Sequence, residues 1–356
     1  MIKDQIKDMG LAFAGWLRKE IFYKKLITPL GIPLPILLAL ACGFLVYKGF
    51  FIVPFGLAFT LIGMVVVYFC LFRPTQGLTI ITILAFFIFY PSHLVGKDLP
   101  IASSVDILFV FLFLGVMLRR KTKTIKTGSL FYTPVSILLL LNVIMFLLEA
   151  FNPNVPNISG WTTPVRRLFV LVIVYVVAYQ LIDEYWKFKK FLKLWLVLAF
   201  AAALYGCYQQ WFGYLPSEIN YIMSRPGEFQ LLFQGGQFRK FSFLSDVVTF
   251  GILSGSMAVL TIVLGLNEAD RNKRFLFFGM ALTMLLGMAY SGTRTTNIIL
   301  PAGVALYGFI TIQNKKTLVA LFACVLLFLF VLFAPIYSNP TLNRIRTTFD
   351  SKEQSL

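Results

Sequence analysis

Eleven basic residues stand where a chain of this kind has least reason to keep them: Lys48, Lys97, Arg166, Arg167, Arg225, Arg239, Lys240, Arg294, Arg344, Arg346 and Lys352. Seven of them are arginine, against six of the other 21. An ammonium is a compact point charge, whereas a planar guanidinium donates paired hydrogen bonds to phosphate or carboxylate oxygens. The arginine bias therefore points to an oxyanion ligand. Snorkelling to lipid phosphates is the alternative for any one of these side chains.

Three carboxylates, Asp106, Glu149 and Asp246, lie within or at the ends of apolar stretches. A carboxylate is costly in hydrocarbon, so these residues must face a bundle interior or a wet cavity, paired with an arginine such as Arg166, Arg167, Arg239 or Arg294. One of them, Asp246 or Glu149, could serve as a catalytic base; helix-packing ion pairs are the competing reading. The sole histidine, His93, follows Pro91 and Ser92 in a connecting loop, with nothing beside it to complete a triad, and reads as an interfacial polar residue. Between Gly213 and Phe243 runs the longest loop, mixing Tyr214, Tyr221, Phe229, Phe233 and Phe238 with Arg225, Glu228, Arg239 and Lys240. It reads as an amphipathic lid, its rings forming either an interfacial belt or stacking faces for sugars. Cys42, Cys70, Cys207 and Cys324 sit in separate apolar runs without metal-ligand spacing, so no metal or other cofactor is implied.

These residues must be positioned by helices in a membrane. Of 356 residues, 58% are hydrophobic and only 13% charged, and the mean hydropathy is +0.82, which excludes an ordinary soluble protein. The apolar runs are continuous rather than alternating, close to the ~20 residues that cross ~30 Å of hydrocarbon as a helix. The fold class is all-α, a polytopic transmembrane helix bundle. Spans are expected at about 30–47, 50–72, 77–91, 104–118, 131–151, 165–182, 191–212, 244–266, 275–291, 295–312 and 318–337, eleven crossings in all. Two of them, 77–91 and 104–118, are about 22 Å long at 1.5 Å per residue, so the loop between them should dip inward.

The net charge of +17 is spread through short loops, a pattern that fits membrane topology and not nucleic acid. With the N-terminus cytoplasmic, 21 basic residues fall inside and the eleven named above fall outside. Residues 1–28 read as a cytoplasmic interfacial amphipathic helix, 29–337 as the transmembrane bundle with its outward loop 213–243, and 338–356 as the start of an outward segment.

The stretch Arg239-Lys240-Phe241-Ser242-Phe243-Leu244-Ser245-Asp246-Val247-Val248-Thr249-Phe250-Gly251, followed by Tyr290-Ser291-Gly292-Thr293-Arg294-Thr295-Thr296, resembles the O-antigen ligase and polymerase family. In that family an arginine precedes one helix and a Ser-Gly-Ser-Arg-like motif fills the next outward turn. The first match is looser, with Ser245 and Asp246 where the family commonly has Asn-Pro. Asn343-Arg344-Ile345-Arg346 follows the next helix. The motif-bearing region covers about residues 239–348; the upstream helices match only in hydropathy.

The resemblance implies a bacterial inner-membrane glycosyltransferase of the cell envelope, acting in polysaccharide or lipopolysaccharide synthesis without metal, nucleotide or cofactor. Its donor would be a glycan on an undecaprenyl-diphosphate carrier at the outer leaflet, its acceptor a glycan or lipid. Arg239 and Arg294 would stabilise the departing diphosphate, while Arg166, Arg167, Lys240, Ser291, Arg344 and Arg346 would bind substrate. Family ligases take their base from a histidine in a large outward segment before a twelfth helix. The sequence stops at Leu356 with neither, and reads as a truncated chain, expected to be inactive if that segment supplies the base. A flippase or transporter of lipid-linked oligosaccharide is the alternative, since it too needs cations for a diphosphate; no internal repeat of the transporter kind is present.

Overall fold

The computed structural model describes residues 52–96, 102–120, 133–149, 158–224, 226–234 and 237–311, together with Phe151 and scattered positions before residue 48. The expected interfacial helix, most of the span at 30–47, the span at 318–337 and the segment 338–356 lie outside the described residues.

Among the described residues the fold is all-α apart from one minimal hairpin. The helices are α1 (Ile52–Phe72), α2 (Pro74–Phe87), α3 (Tyr90–Val95), α4 (Ala102–Arg120), α5 (Pro134–Glu149), α6 (Ile158–Leu181), α7 (Tyr185–Phe212), α8 (Pro216–Met223), α9 (Pro226–Leu232), α10 (Val247–Asn267), α11 (Arg271–Ser291) and α12 (Ile299–Ile310), the last preceded by a 3-10 turn over Arg294–Ile298. Strands β1 (Phe233–Gln234) and β2 (Gln237–Phe238) pair antiparallel, Phe233 opposite Phe238. Among the described residues five stretches are long and apolar enough to cross a membrane: Pro74–Val95, Pro164–Leu181, Tyr185–Phe212, Val247–Asn267 and Arg271–Ser291. Only helices satisfy their own backbone in hydrocarbon over such lengths, so this is a multi-pass membrane chain.

Of the two spans expected to be short, one is not. Helix α4 has 19 residues, but its apolar part is only Ser103–Leu118, whereas α2 with α3 makes a 22-residue apolar stretch to Val95. Pro91, placed by sequence in the dipping loop, sits instead in the first turn of α3, where a missing N–H costs nothing. Ser92 and His93 are therefore helical, and both are buried. The polar Ser-His pair mimics a loop because hydropathy does not register what packs over it.

The chain forms two compact units, one from residues 1–82 and 103–188, the other from 83–102 and 189–356. In the first, a small-residue contact joins α1 and α4. A Cβ added to Gly115 would lie 2.1 Å from the backbone oxygen of Cys70 and 2.9 Å from Leu71 Cα. Backbone cannot swing aside as a side chain can, and membrane helices use glycine for this approach. Gly115→Ala is expected to cost about 1–3 kcal/mol, the scale of overpacking, read as a lower melting temperature in detergent. An unchanged melting temperature would mean that α1 and α4 do not meet at this point.

The second unit is built on α7, α10 and α11. Leu196, Ala199, Ala203, Met257, Ala258, Met280 and Met284 form one buried cluster. A neighbouring cluster gathers Phe86, Leu198, Ala202, Phe243, Leu244 and Phe250. The alanines let the helices close, while the methionines and Phe250 fill the remaining volume. This unit carries the segments in which the sequence places its two arginine motifs.

Candidate functional site

The segment between α7 and α10 is not a loose lid. Leu215 precedes Pro216 at the start of α8, and Glu218, three residues after the cap, accepts the Leu215 N–H through Oε2 at 2.9 Å. This is the reciprocal half of a capping box, with proline where the first turn tolerates it. Ile222, Leu232, Phe241 and Val247 then form a small core, with Tyr214, Phe229 and Phe238 against it. The rings, read as an interfacial belt or as stacking faces for sugars, mostly face one another: Phe229 stacks on Phe233 at 5.8 Å and Tyr214 on Phe241 at 5.2 Å. His93 is also part of this packing, fully buried between Tyr221 at 4.7 Å and Phe241 at 4.8 Å, rather than a polar residue at a surface.

From this base the chain runs through Arg239 and Lys240 alongside the end of α11. Lys240 donates its backbone N–H to Tyr290 O at 3.0 Å. The Arg239 guanidinium donates through Nε to Ser291 O at 3.0 Å and through Nη2 to Thr293 Oγ1 at 2.9 Å. Thr293 Oγ1 in turn donates to Val247 O, at 3.1 Å. Two motifs about fifty positions apart in sequence are thus stitched together. The stitch needs glycine twice. Gly292 ends α11 with φ 58, the left-handed conformation of a helix C-cap. A Cβ on Gly251 would meet Ser291 Oγ at 2.5 Å and Thr296 Cγ2 at 2.7 Å, so only glycine lets α10 approach the turn.

Arg294 opens the 3-10 turn immediately after this junction, which places its backbone beside the segment that Arg239 binds; its side chain lies outside the described part. Ser291 is buried, its hydroxyl donating to Met288 O at 2.7 Å and accepting from Thr293 N–H at 3.3 Å, so it shapes the turn. Lys240 is 7% exposed, its Nζ 4.4 Å from the Tyr214 ring centroid. Burial pushes its ammonium down from the ordinary lysine value, against an opposing pull from Glu218. Burial, and next the Glu218 charge, push the Tyr214 phenol well up; its hydroxyl donates to Arg239 O at 2.5 Å.

Asp246, a candidate base from sequence, caps α10. It accepts the Thr249 backbone N–H at 2.8 Å and the hydroxyls of Ser245 and Thr249, each at 2.7 Å. Partial burial raises its carboxyl, but these hydrogen bonds outweigh it and hold the group below the ordinary aspartate value. That is the wrong direction for a base working near neutral pH, and the geometry is that of a helix N-cap.

The remaining candidates belong to the first unit or lie outside the described residues. Arg166 Nε is 3.5 Å from Asp106 Oδ2, and its Nη1 donates to Ser103 Oγ at 3.3 Å, the ion pairing expected of an intramembrane carboxylate. Arg167 is exposed on α6, and Glu149 is exposed at the end of α5. Arg344 and Arg346 lie outside the described residues. Among the described residues no cluster of three or more histidine, cysteine or acidic side chains could hold a metal ion.

One residue was missed. Glu218 is fully buried beside the arginine segment, yet sequence reading passed over it for Glu228. The signal was present in Leu-Pro-Ser-Glu, where proline and glutamate occupy the positions of a helix start.

Fold and site together define an α-helical multi-pass membrane protein with a basic segment locked onto the turn that ends a helix. No family model, curated protein or solved structure matches the chain.

Proposed function

We propose that the chain is a glycosyltransferase of the bacterial inner membrane that transfers or polymerises glycan from an undecaprenyl-diphosphate carrier at the outer leaflet, similar to the O-antigen ligases and polymerases. On this reading it crosses the membrane eleven times, with a cytoplasmic N-terminus and the 213–243 segment outside. The supporting observation is the bond of Arg239 to the Ser291–Thr293 turn, which brings the two arginine-bearing motifs to one place.

The chemistry is coherent with that arrangement. An acceptor hydroxyl oxygen attacks the anomeric carbon, the bond from that carbon to the diphosphate oxygen breaks, and the electron pair leaves on the diphosphate. Charge growing on the leaving group needs preorganised cations, which two arginines supply. The hydroxyl proton goes to a base, a role that the Asp246 cap does not favour.

The deciding measurement is transfer by purified protein from an undecaprenyl-diphosphate-linked oligosaccharide to a glycan or lipid acceptor. New glycosidic bonds with many turnovers, unaffected by chelator, are expected. Translocation of the donor across vesicles without bond formation would instead establish a carrier, and strict dependence on Mg²⁺ would remove the proposed chemistry. Orientation has its own test: cysteine at Gln230, exposed on α9, should react with an impermeant outer reagent, while cysteine at Ser129 should be protected. The reverse pattern would put Arg239 on the cytoplasmic face.

A further inference from the structure

The segment that carries Arg239 and Lys240, just after β2, ends in a backbone conformation it would not adopt alone. Ser242 has φ 59, the sole positive φ outside glycine among the described residues. A side chain in the left-handed region is disfavoured, so something must hold it. All three of its polar groups are held from α7. Its N–H donates to Gln209 Oε1 at 2.9 Å, its carbonyl accepts from Gln209 Nε2 at 3.2 Å, and its hydroxyl donates to Ala202 O at 2.7 Å.

Gln209 can do this only one way round. Its amide presents oxygen to the Ser242 N–H and nitrogen to the Ser242 carbonyl, and at this fully buried site Glu218 enforces the same orientation. Glu218 Oε1 lies 2.9 Å from Gln209 Nε2 and 2.9 Å from the Tyr205 hydroxyl, which donates to it. Both carboxyl oxygens of Glu218 are used as acceptors, so the amide nitrogen of Gln209 faces Oε1 and the amide oxygen is left for the Ser242 N–H. The helix cap on Leu215 uses the other oxygen, Oε2, and by itself would not require burial.

We infer that Glu218 is a positioning residue: it orients Gln209, which fixes the left-handed turn at Ser242 and so sets the register of Arg239 and Lys240 against Tyr290–Thr293. The inference deepens the proposed transfer reaction and rests on it for its kinetic consequence alone.

Glu218→Gln separates this role from simple capping, because glutamine serves as well as glutamate in capping boxes. The amide has one acceptor atom where two are needed. If it keeps the Leu215 cap, its NH₂ faces Tyr205 and sets donor against donor at Gln209 Nε2, so Gln209 must shift or turn over and give up its bonds to the Ser242 N–H and carbonyl. Ser242→Gly is the complementary change, since glycine occupies φ near +60° without help.

The experiment is hydrogen–deuterium exchange on the purified full chain, followed by transfer kinetics. Glu218→Gln should speed exchange across 239–242 by about 10-fold with α10 and α11 unchanged, and adding Ser242→Gly should restore most of the protection. Transfer should lose about 10–10²-fold in kcat with little change in KM, the size expected from misplacing a reacting-site group. Unchanged exchange at 239–242, or loosening spread over the whole unit, would overturn the relay. If Glu218→Gln does not fold, recovery of folding in the double variant supports the relay and failure of that variant overturns it. If the wild-type chain transfers no glycan, the proposed reaction fails, while the exchange result still judges the relay.

Discussion

Arg239→Lys is expected to lower glycan transfer by about 10²-fold or more, the cost of losing a key donor at a developing oxyanion. Lysine keeps the positive charge, so a loss of this size would come from geometry. The guanidinium reaches Ser291 O and Thr293 Oγ1 from two nitrogens in a fixed plane. An ammonium on a flexible stem cannot hold both acceptors with the same direction, and it leaves a half-buried carbonyl and hydroxyl in search of donors. Charge-assisted hydrogen bonds of this kind contribute about 1.5–3 kcal/mol each, so melting in detergent should fall as well. Exchange protection should drop at 290–296, since the turn carrying Arg294 loses its tie to the Arg239 segment. A variant that transfers glycan at the wild-type rate and melts at the wild-type temperature would reduce the Arg239 contacts to incidental ones.

Arg294→Lys should produce a loss in kcat of similar size, roughly 10²-fold or more, but with a different signature. Arg294 follows the Gly292 cap and opens the 3-10 turn, one residue past the threonine that Arg239 grips. On the proposed reading its guanidinium meets the departing diphosphate, which is less charged in the bound donor than in the transition state. A lysine still offers the ground-state diphosphate a cation, so donor affinity should weaken less than turnover. Melting temperature and exchange at 239–242 should stay as in the wild type, unlike in Arg239→Lys. Donor binding measured apart from turnover makes the distinction. Equal losses in affinity and turnover would describe a uniform anchor for the headgroup, and wild-type turnover would leave Arg294 with a role toward membrane lipid alone.

What could be read in the sequence divides by how local the controlling physics is. Hydropathy is a property of consecutive residues, and hydrocarbon forces any such run into a helix. The all-α membrane class and helix positions such as 52–72 and 247–267 therefore followed from the chain order alone. Turn chemistry is almost as local: Gly292 after Ser291 is a helix stop whatever surrounds it. At Asp246 the same local signal is present in Ser-Asp-Val-Val-Thr, where the aspartate caps the helix that follows.

Partner choice is not local. Nothing in the composition of α7 says that Gln209 will face Ser242, or that a glutamate in the following segment will be buried against Gln209. His93 looked like a surface residue because its two covering rings, Tyr221 and Phe241, come from elements more than a hundred positions away. Arg239 could be marked as a cation of interest, but whether it meets an anion or a neighbouring turn depends on how α10 packs at Gly251 and where α11 ends. By itself the sequence determined the solvent the chain lives in, the secondary structure that solvent permits and the residue types able to bind an oxyanion. The tertiary structure decided which of those residues share a site and which are held by protein partners, because close packing couples positions whose separation along the chain carries no trace of their contact.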